Sequence, residues 1–133
     1  MINKLFIYGT LQKGMSNQSF LPDEAIVNRQ KATIKGELYW VERGCYPALL
    51  LEGHDTIYGE LVEIKSEYFA SVLKNCDRLE GHPSFYKREQ VNVNLSNGET
   101  VECYSYIFKQ FPLLGSRIYS GNFIQEYNIL YGK

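Results

Sequence analysis

No apolar run in this sequence approaches the ~18 residues that a membrane-spanning helix requires, and neither sign of charge dominates, the formal net charge being -1. The first lack excludes a helical span. The second removes the usual reason to expect a nucleic-acid or membrane surface as partner. Cysteine is scarce. Cys45, Cys76 and Cys103 are odd in number, widely spaced and without a CxxC pair, so neither a zinc knuckle nor a redox couple is expected. His54 and His82 lack metal-ligand spacing to each other or to any cysteine, so no metal site is expected. GxSxG, HExxH and GxGxxG are all missing. Gly9 and Gly14 do have the GxxxxG spacing of a phosphate loop. Met15 and Ser16 follow, where that loop needs Lys and then Ser or Thr, which excludes an NTPase reading. No cofactor is expected. No signal-like segment opens the chain, so a cytoplasmic protein is expected.

What the chain does have is one domain's worth of residues, 133, and a surplus of aromatics, with 11 tyrosines and 7 phenylalanines. Aromatics favour strands, so these residues belong in a β core, in the wall of a pocket, or in both. Residues 5–8, 30–40, 46–51, 56–64, 86–95 and 101–108 read as strands. Gly36 marks a bulge or a close approach, and Asn97-Gly98 marks a hairpin turn. A helix is expected from an N-cap at Ser66, with Phe69, Val72, Leu73, Cys76 and Leu79 on one face. Gly81 should end it as a left-handed cap, with Pro83 preventing its return. Cys76 and Cys103 then act as small core hydrophobes. One helical turn is expected between Ser16 and Leu21, and a partly helical aromatic tail over residues 120–133. No linker or low-complexity tract divides the chain.

The tetrapeptide Leu-Glu-Gly-His occurs at residues 51–54 and again at residues 79–82. The first copy falls at an expected hairpin turn and the second at a helix C-terminus, so the pair is not a structural repeat. Glu52 at a solvated tip has no chemical role to play. Glu80 is a carboxylate in the last turn of a helix, where the backbone dipoles already present negative charge. That field, and any burial, should raise its pKa toward the range of a general base working near neutral pH. The other reading of Glu80 is an exposed residue carrying a small penalty.

A second segment, Tyr8-Gly9-Thr10-Leu11, leaves the first strand. Glycine there lets a ligand approach the backbone, and successive N–H groups in such a turn can cradle an anion. An ordinary strand-end turn is the alternative.

Together the motifs resemble the gamma-glutamylcyclotransferase-like family. Tyr8-Gly9-Thr10-Leu11 with Lys13-Gly14 is similar to its YGTL-x-x-G signature. Asp77-Arg78-Leu79-Glu80-Gly81, followed by Pro83, Tyr86 and Arg88, is similar to its D-x-x-E-G-x-P-x-x-Y-x-R block. The length is closest to that of the small gamma-glutamylamine cyclotransferases, and the resemblance spans the chain. It implies an α+β fold: a single compact domain over residues 1–133 with a closed or nearly closed mixed β-barrel flanked by helices. It implies a small γ-glutamyl substrate and intramolecular aminolysis to 5-oxoproline. Glu80 would be the catalytic base, and Tyr8, Gly9, Thr10, Leu11 and Tyr86 would bind substrate. Tyr86 could orient the Glu80 carboxylate by hydrogen bonding. The rim that selects the leaving amine is expected near residues 41–47 and 109–120. Two other functions suit the same residues: a non-enzymatic small-molecule-binding protein, and a γ-glutamyl hydrolase in which Glu80 activates water.

Overall fold

A computed structural model describes residues 2–42 and 44–132; expectations touching Met1, Arg43 and Lys133 lie outside the described residues. The strands are β1 (Lys4–Ile7), β2 (Ile26–Val41), β3 (Pro47–Ile64), β4 (Tyr86–Leu95), β5 (Thr100–Phe108) and β6 (Leu114–Arg117). Two helices, α1 (Ser66–Glu80) and α2 (Phe123–Tyr131), accompany them, with short 3₁₀ turns at Gln18–Phe20, Asp23–Ala25 and Phe111–Leu113.

The strands run in the order β3-β1-β5-β4-β2-β6, and a further β2–β3 pairing closes the first five into a barrel. β1 and β5 are parallel, with Leu5 opposite Tyr104, while the other pairs are antiparallel. The barrel is therefore mixed, and β6 extends it alongside the end of β2. Closure leaves few exposed edges.

Period-two alternation sorts the strand side chains into two cores. Phe6, Ile34, Leu38, Leu49, Ile57, Leu61, Val93, Cys103 and Ile107 come from all five barrel strands and fill its interior, with Phe123 of α2 packed among them. Their neighbours of opposite parity, including Leu5, Ile7, Leu50, Val62, Ile64, Tyr106 and Phe108, pack outside the barrel against Phe69, Val72 and Cys76 of α1. A fully buried aliphatic or aromatic side chain contributes ~1.5–3 kcal/mol, so these contacts fix where α1, and hence its last turn, can lie. Cys76 and Cys103 are fully buried free thiols, as core hydrophobes should be.

Two local expectations change. Ser66 is the first helical residue of α1, and Lys65 is the N-cap, without a side-chain hydrogen bond. The first Leu-Glu-Gly-His copy is not at a hairpin tip. β3 runs through it, and the register with β2 jumps from Glu37↔Leu50 to Gly36↔Asp55, so residues 51–54 bulge from a long strand. The pairing of the two strands continues beyond the bulge to Trp40↔Pro47. The register shift does fall at Gly36, and Arg117 of β6 pins the bulge through Asp55 (2.9 Å) and Glu37 (3.4 Å). Glu52 is exposed there.

Candidate active site

The second copy is built differently. Gly81 closes α1 in the left-handed region, with φ 66°, a conformation that glycine adopts without the strain of a Cβ. His82 N–H then donates to the Asp77 carbonyl (2.9 Å), turning the chain sharply away. Asp77 itself faces the barrel. Its carboxylate accepts two hydrogen bonds from the Arg88 guanidinium of β4 (2.9 and 3.0 Å) and one from the Tyr106 hydroxyl of β5 (2.7 Å). His82 Nδ1 accepts from the backbone N–H of Arg88 (2.9 Å). The spacing of Asp77, Glu80, Gly81 and Arg88 thus has a physical meaning: it clasps the last turn of the helix to two strands and turns Glu80 another way.

Glu80 lines a cavity of about 250 Å³, together with Phe6, Ile7, Tyr8, Gly9, Thr10, Leu11, Asn17, Tyr46, Pro47, Leu79, Phe85, Tyr86 and Tyr106. That is below the ~300–1,000 Å³ of drug-sized sites, and suits a ligand of amino-acid size. Among the described residues, Glu80 is the only charged side chain in the lining, and no hydrogen bond or ion pair engages its carboxylate. Burial pushes its carboxyl up to about 7. Desolvation is the cause, the second of the two effects expected from the sequence beside the helix-dipole field. A carboxylate half-ionised near neutral pH, without a resident partner, is suited to take and return a proton.

Three of the four cavity tyrosines, Tyr8, Tyr86 and Tyr106, are not. The Tyr8 hydroxyl donates to the Tyr106 carbonyl, the Tyr86 hydroxyl to the Pro47 carbonyl (2.5 Å each), and the Tyr106 hydroxyl to Asp77. Burial first, and neighbouring groups such as Glu80 or Asp77 after it, raise all three phenols well above their ordinary value. They stay neutral, each with its proton already directed to a fixed acceptor. The expected Tyr86–Glu80 hydrogen bond is therefore replaced by a Tyr86–Pro47 one.

The residues expected at the turn, Tyr8, Gly9, Thr10 and Leu11, all line the same cavity as Glu80 and Tyr86. Among the described residues, no group accepts the amide N–H of Gly9, Thr10 or Leu11. Gly9 has a packing reason as well as a ligand one, since a Cβ there would stand 2.7 Å from Pro47 Cγ. Asn17, which carried no recognised role in the sequence, holds the turn in place. Its N–H donates to the Thr10 carbonyl and its side-chain amide to Thr10 Oγ1, both at 2.9 Å. Tyr46 and Pro47 bring part of the expected 41–47 rim to the cavity, but none of residues 109–120 is in the lining. Phe85 and Asn17 were missed because nothing in their local spacing distinguishes a wall residue from a loop residue. Asp77 and Arg88 had a signal, their place in the motif, but no legible role. Among the described residues no helix is long and apolar enough to cross a membrane, and no cluster of three or more His, Cys, Asp or Glu could hold a metal ion.

The family described as "Gamma-glutamyl cyclotransferase, AIG2-like" matches residues 5–125. The chain is 32% identical over 119 residues to the gamma-L-glutamyl-butirosin B gamma-glutamyl cyclotransferase of Niallia circulans, covering 85% of this chain and 71% of the relative. It is 26% identical over 125 residues to the gamma-glutamylaminecyclotransferase of Rattus norvegicus, covering 77% and 75%. Its fold is similar to the crystal structure of an aig2-like protein from Mus musculus, with a TM-score of 0.67 at 24% identity over 86% of this chain and 85% of that one.

Proposed function

The chain belongs to the gamma-glutamyl cyclotransferase, AIG2-like family and is an enzyme of that family; from that premise we propose that it converts a γ-glutamyl amine or small γ-glutamyl peptide to 5-oxoproline and a free amine, with Glu80 as the general base. One observation carries this reading: a single unpaired carboxyl group, raised to about 7 by burial, in a cavity of amino-acid size.

The α-amine nitrogen of the γ-glutamyl group attacks the carbonyl carbon at the end of its own side chain. Glu80 takes a proton from that nitrogen as the new N–C bond forms. The old amide C–N bond breaks, and the proton passes from Glu80 to the leaving nitrogen. From the free amine, one proton moves in total and the carboxylate is regenerated. No protein nucleophile is required, because the substrate supplies one. Closing a five-membered ring needs mainly the selection of a bent conformer, and effective molarities for such steps reach ~10⁵–10⁸ M. A positioned base contributes a further ~10²–10⁴. The amides of Gly9, Thr10 and Leu11 suit the anionic parts of this substrate, either the α-carboxylate or the developing oxyanion. Tyr8, Tyr86 and Tyr106 of the wall, their protons already committed, leave Glu80 as the proton carrier.

The test is mass detection of products from a panel of γ-glutamyl amines and γ-glutamyl dipeptides. 5-Oxoproline appearing in step with the free amine is expected, and Glu80→Gln should abolish it. Free glutamate would identify a hydrolase that activates water at Glu80. Binding of panel members without any product would identify a binding protein.

A further inference from the structure

Glu80 accepts a proton, but a base alone does not aim the nucleophile. A primary amine has two N–H bonds and one lone pair, and cyclisation needs the lone pair directed at the carbonyl carbon. Two fixed acceptors that engage both N–H bonds leave the lone pair as the only free direction. The cavity holds a second acceptor of this kind. The Tyr86 hydroxyl has its proton directed to the Pro47 carbonyl (2.5 Å), so toward the cavity its oxygen has only lone pairs to offer. Among the described residues nothing donates to it. The ring is held edge-on between Phe85 (5.4 Å) and Phe108 (5.0 Å), and Tyr86 is 4% exposed. Its direction is therefore set by packing.

We propose that the Tyr86 oxygen, fixed as an acceptor by its hydrogen bond to Pro47, binds one N–H of the substrate α-amine while Glu80 takes the other, and so orients the nucleophile. Tyr8 is less suited to this task. Its hydroxyl donates to the Tyr106 carbonyl, but its ring has a single, more distant aromatic neighbour among the described residues, Phe6 at 6.3 Å, so its direction is less firmly set than that of Tyr86. The proposal rests on the γ-glutamyl reading of the site, and it turns Tyr86 from a wall residue into one that touches the reacting nitrogen. It also excludes a role for Tyr86 as proton donor to the leaving group.

The test compares wild type with Tyr86→Phe, which keeps the ring and its aromatic contacts. Two probes differ by one group: γ-glutamylmethylamide, and glutaryl methylamide, which lacks the α-amine. Tyr86→Phe should lower kcat/KM for γ-glutamylmethylamide at least about tenfold, the effect of one lost hydrogen bond to a partly charged donor. The Kd for glutaryl methylamide should change by no more than about twofold. If wild type binds γ-glutamylmethylamide without converting it, its Kd replaces kcat/KM in the same comparison, so failure of the cyclisation reading leaves this test intact. Equal losses for both probes would overturn the proposal, because Tyr86 would then act only by holding Pro47. No loss for either probe would overturn it too. If wild type fails to bind γ-glutamylmethylamide, both this proposal and the γ-glutamyl reading fall.

Discussion

Asp77 and Glu80 stand three residues apart on the last turn of α1, and their carboxyl groups are driven in opposite directions. Burial acts to raise both. At Asp77 it is outweighed by the hydrogen bonds from Arg88 and Tyr106, which hold the carboxyl below its usual range. At Glu80 nothing opposes burial, and the carboxyl rises to about 7. One carboxylate is a permanent anion that anchors the helix, and the other is a group poised to exchange protons. Environments that push two nearby titratable groups apart are a common means of dividing structural from chemical work.

The two Leu-Glu-Gly-His copies give an internal control. Glu80→Gln keeps the shape and removes the base, and should lower turnover by at least the ~10²–10⁴ that a general base contributes. Glu52→Gln, exposed on the β3 bulge, should stay within about twofold of wild type, as surface substitutions usually do. Steady-state kinetics on both purified variants checks this. Equal losses would move the chemistry away from Glu80.

The pH dependence follows from the sign of the shift. With the Glu80 carboxyl at about 7, the pH–rate profile should fall on the acid side with a midpoint near 7, well above an ordinary glutamate. The contribution of Glu80 to stability should run the other way. Between the unfolded value of 4.5 and the folded value of about 7, the folded state holds a proton that the unfolded state has lost. The Glu80 contribution to stability is thus greatest below 4.5 and declines as pH rises toward 7. Glu80→Gln lacks this loss and should be more stable than wild type at pH 8, by at most about 3 kcal/mol for a shift of this size. Denaturant titrations at pH 5 and pH 8 would show whether the gap widens with pH.

The clasp should matter to both stability and rate. Asp77→Ala leaves the half-buried Arg88 guanidinium without its paired acceptor and the Tyr106 hydroxyl without its own. A loss of about 2–3 kcal/mol is expected from such charge-assisted bonds. The freed helix end should also lower kcat more than it alters KM. Arg88→Lys cannot reproduce the two-pronged contact and should fall between wild type and Asp77→Ala. Thermal melts alongside kinetics would separate the two effects.

Gly9 and Pro47 form a testable pair. A Cβ at Gly9 would stand 2.7 Å from Pro47 Cγ and 2.8 Å from Cδ. Gly9→Ala should displace the turn and reduce activity more than tenfold. Adding Pro47→Ala removes the collision and should restore part of that loss, a coupling that a double-mutant cycle measures. Purely additive losses would show that Gly9 is required for the ligand's approach to the backbone and not for packing.

Some of this protein was written in local spacing. The α1 face, its Gly81 cap, the strand alternation of β4 and β5 and the turn at Asn97-Gly98 follow from periods of 3.6 and 2 and from turn chemistry, which depend on near neighbours alone. The two motifs brought Glu80 and residues 8–11 into view for the same reason: each is a short stretch whose spacing is itself the signal. The strand reading of residues 46–51 and 56–64 held for the strands and failed for the bulge between them. Turn-forming residues inside β3 look like a hairpin until the long-range pairing with β2 is known. The state of Glu80 was decided only by the tertiary structure. Its sequence position suggested a dipole effect to which any burial would add, and it is burial, in a cavity walled by residues from far along the chain, that raises its carboxyl. Likewise the Tyr86 hydroxyl points to Pro47, 39 residues away, and Asp77 is held by groups on two other elements. Desolvation and hydrogen-bond partners are properties of what surrounds a residue, and those surroundings exist only once the barrel has closed.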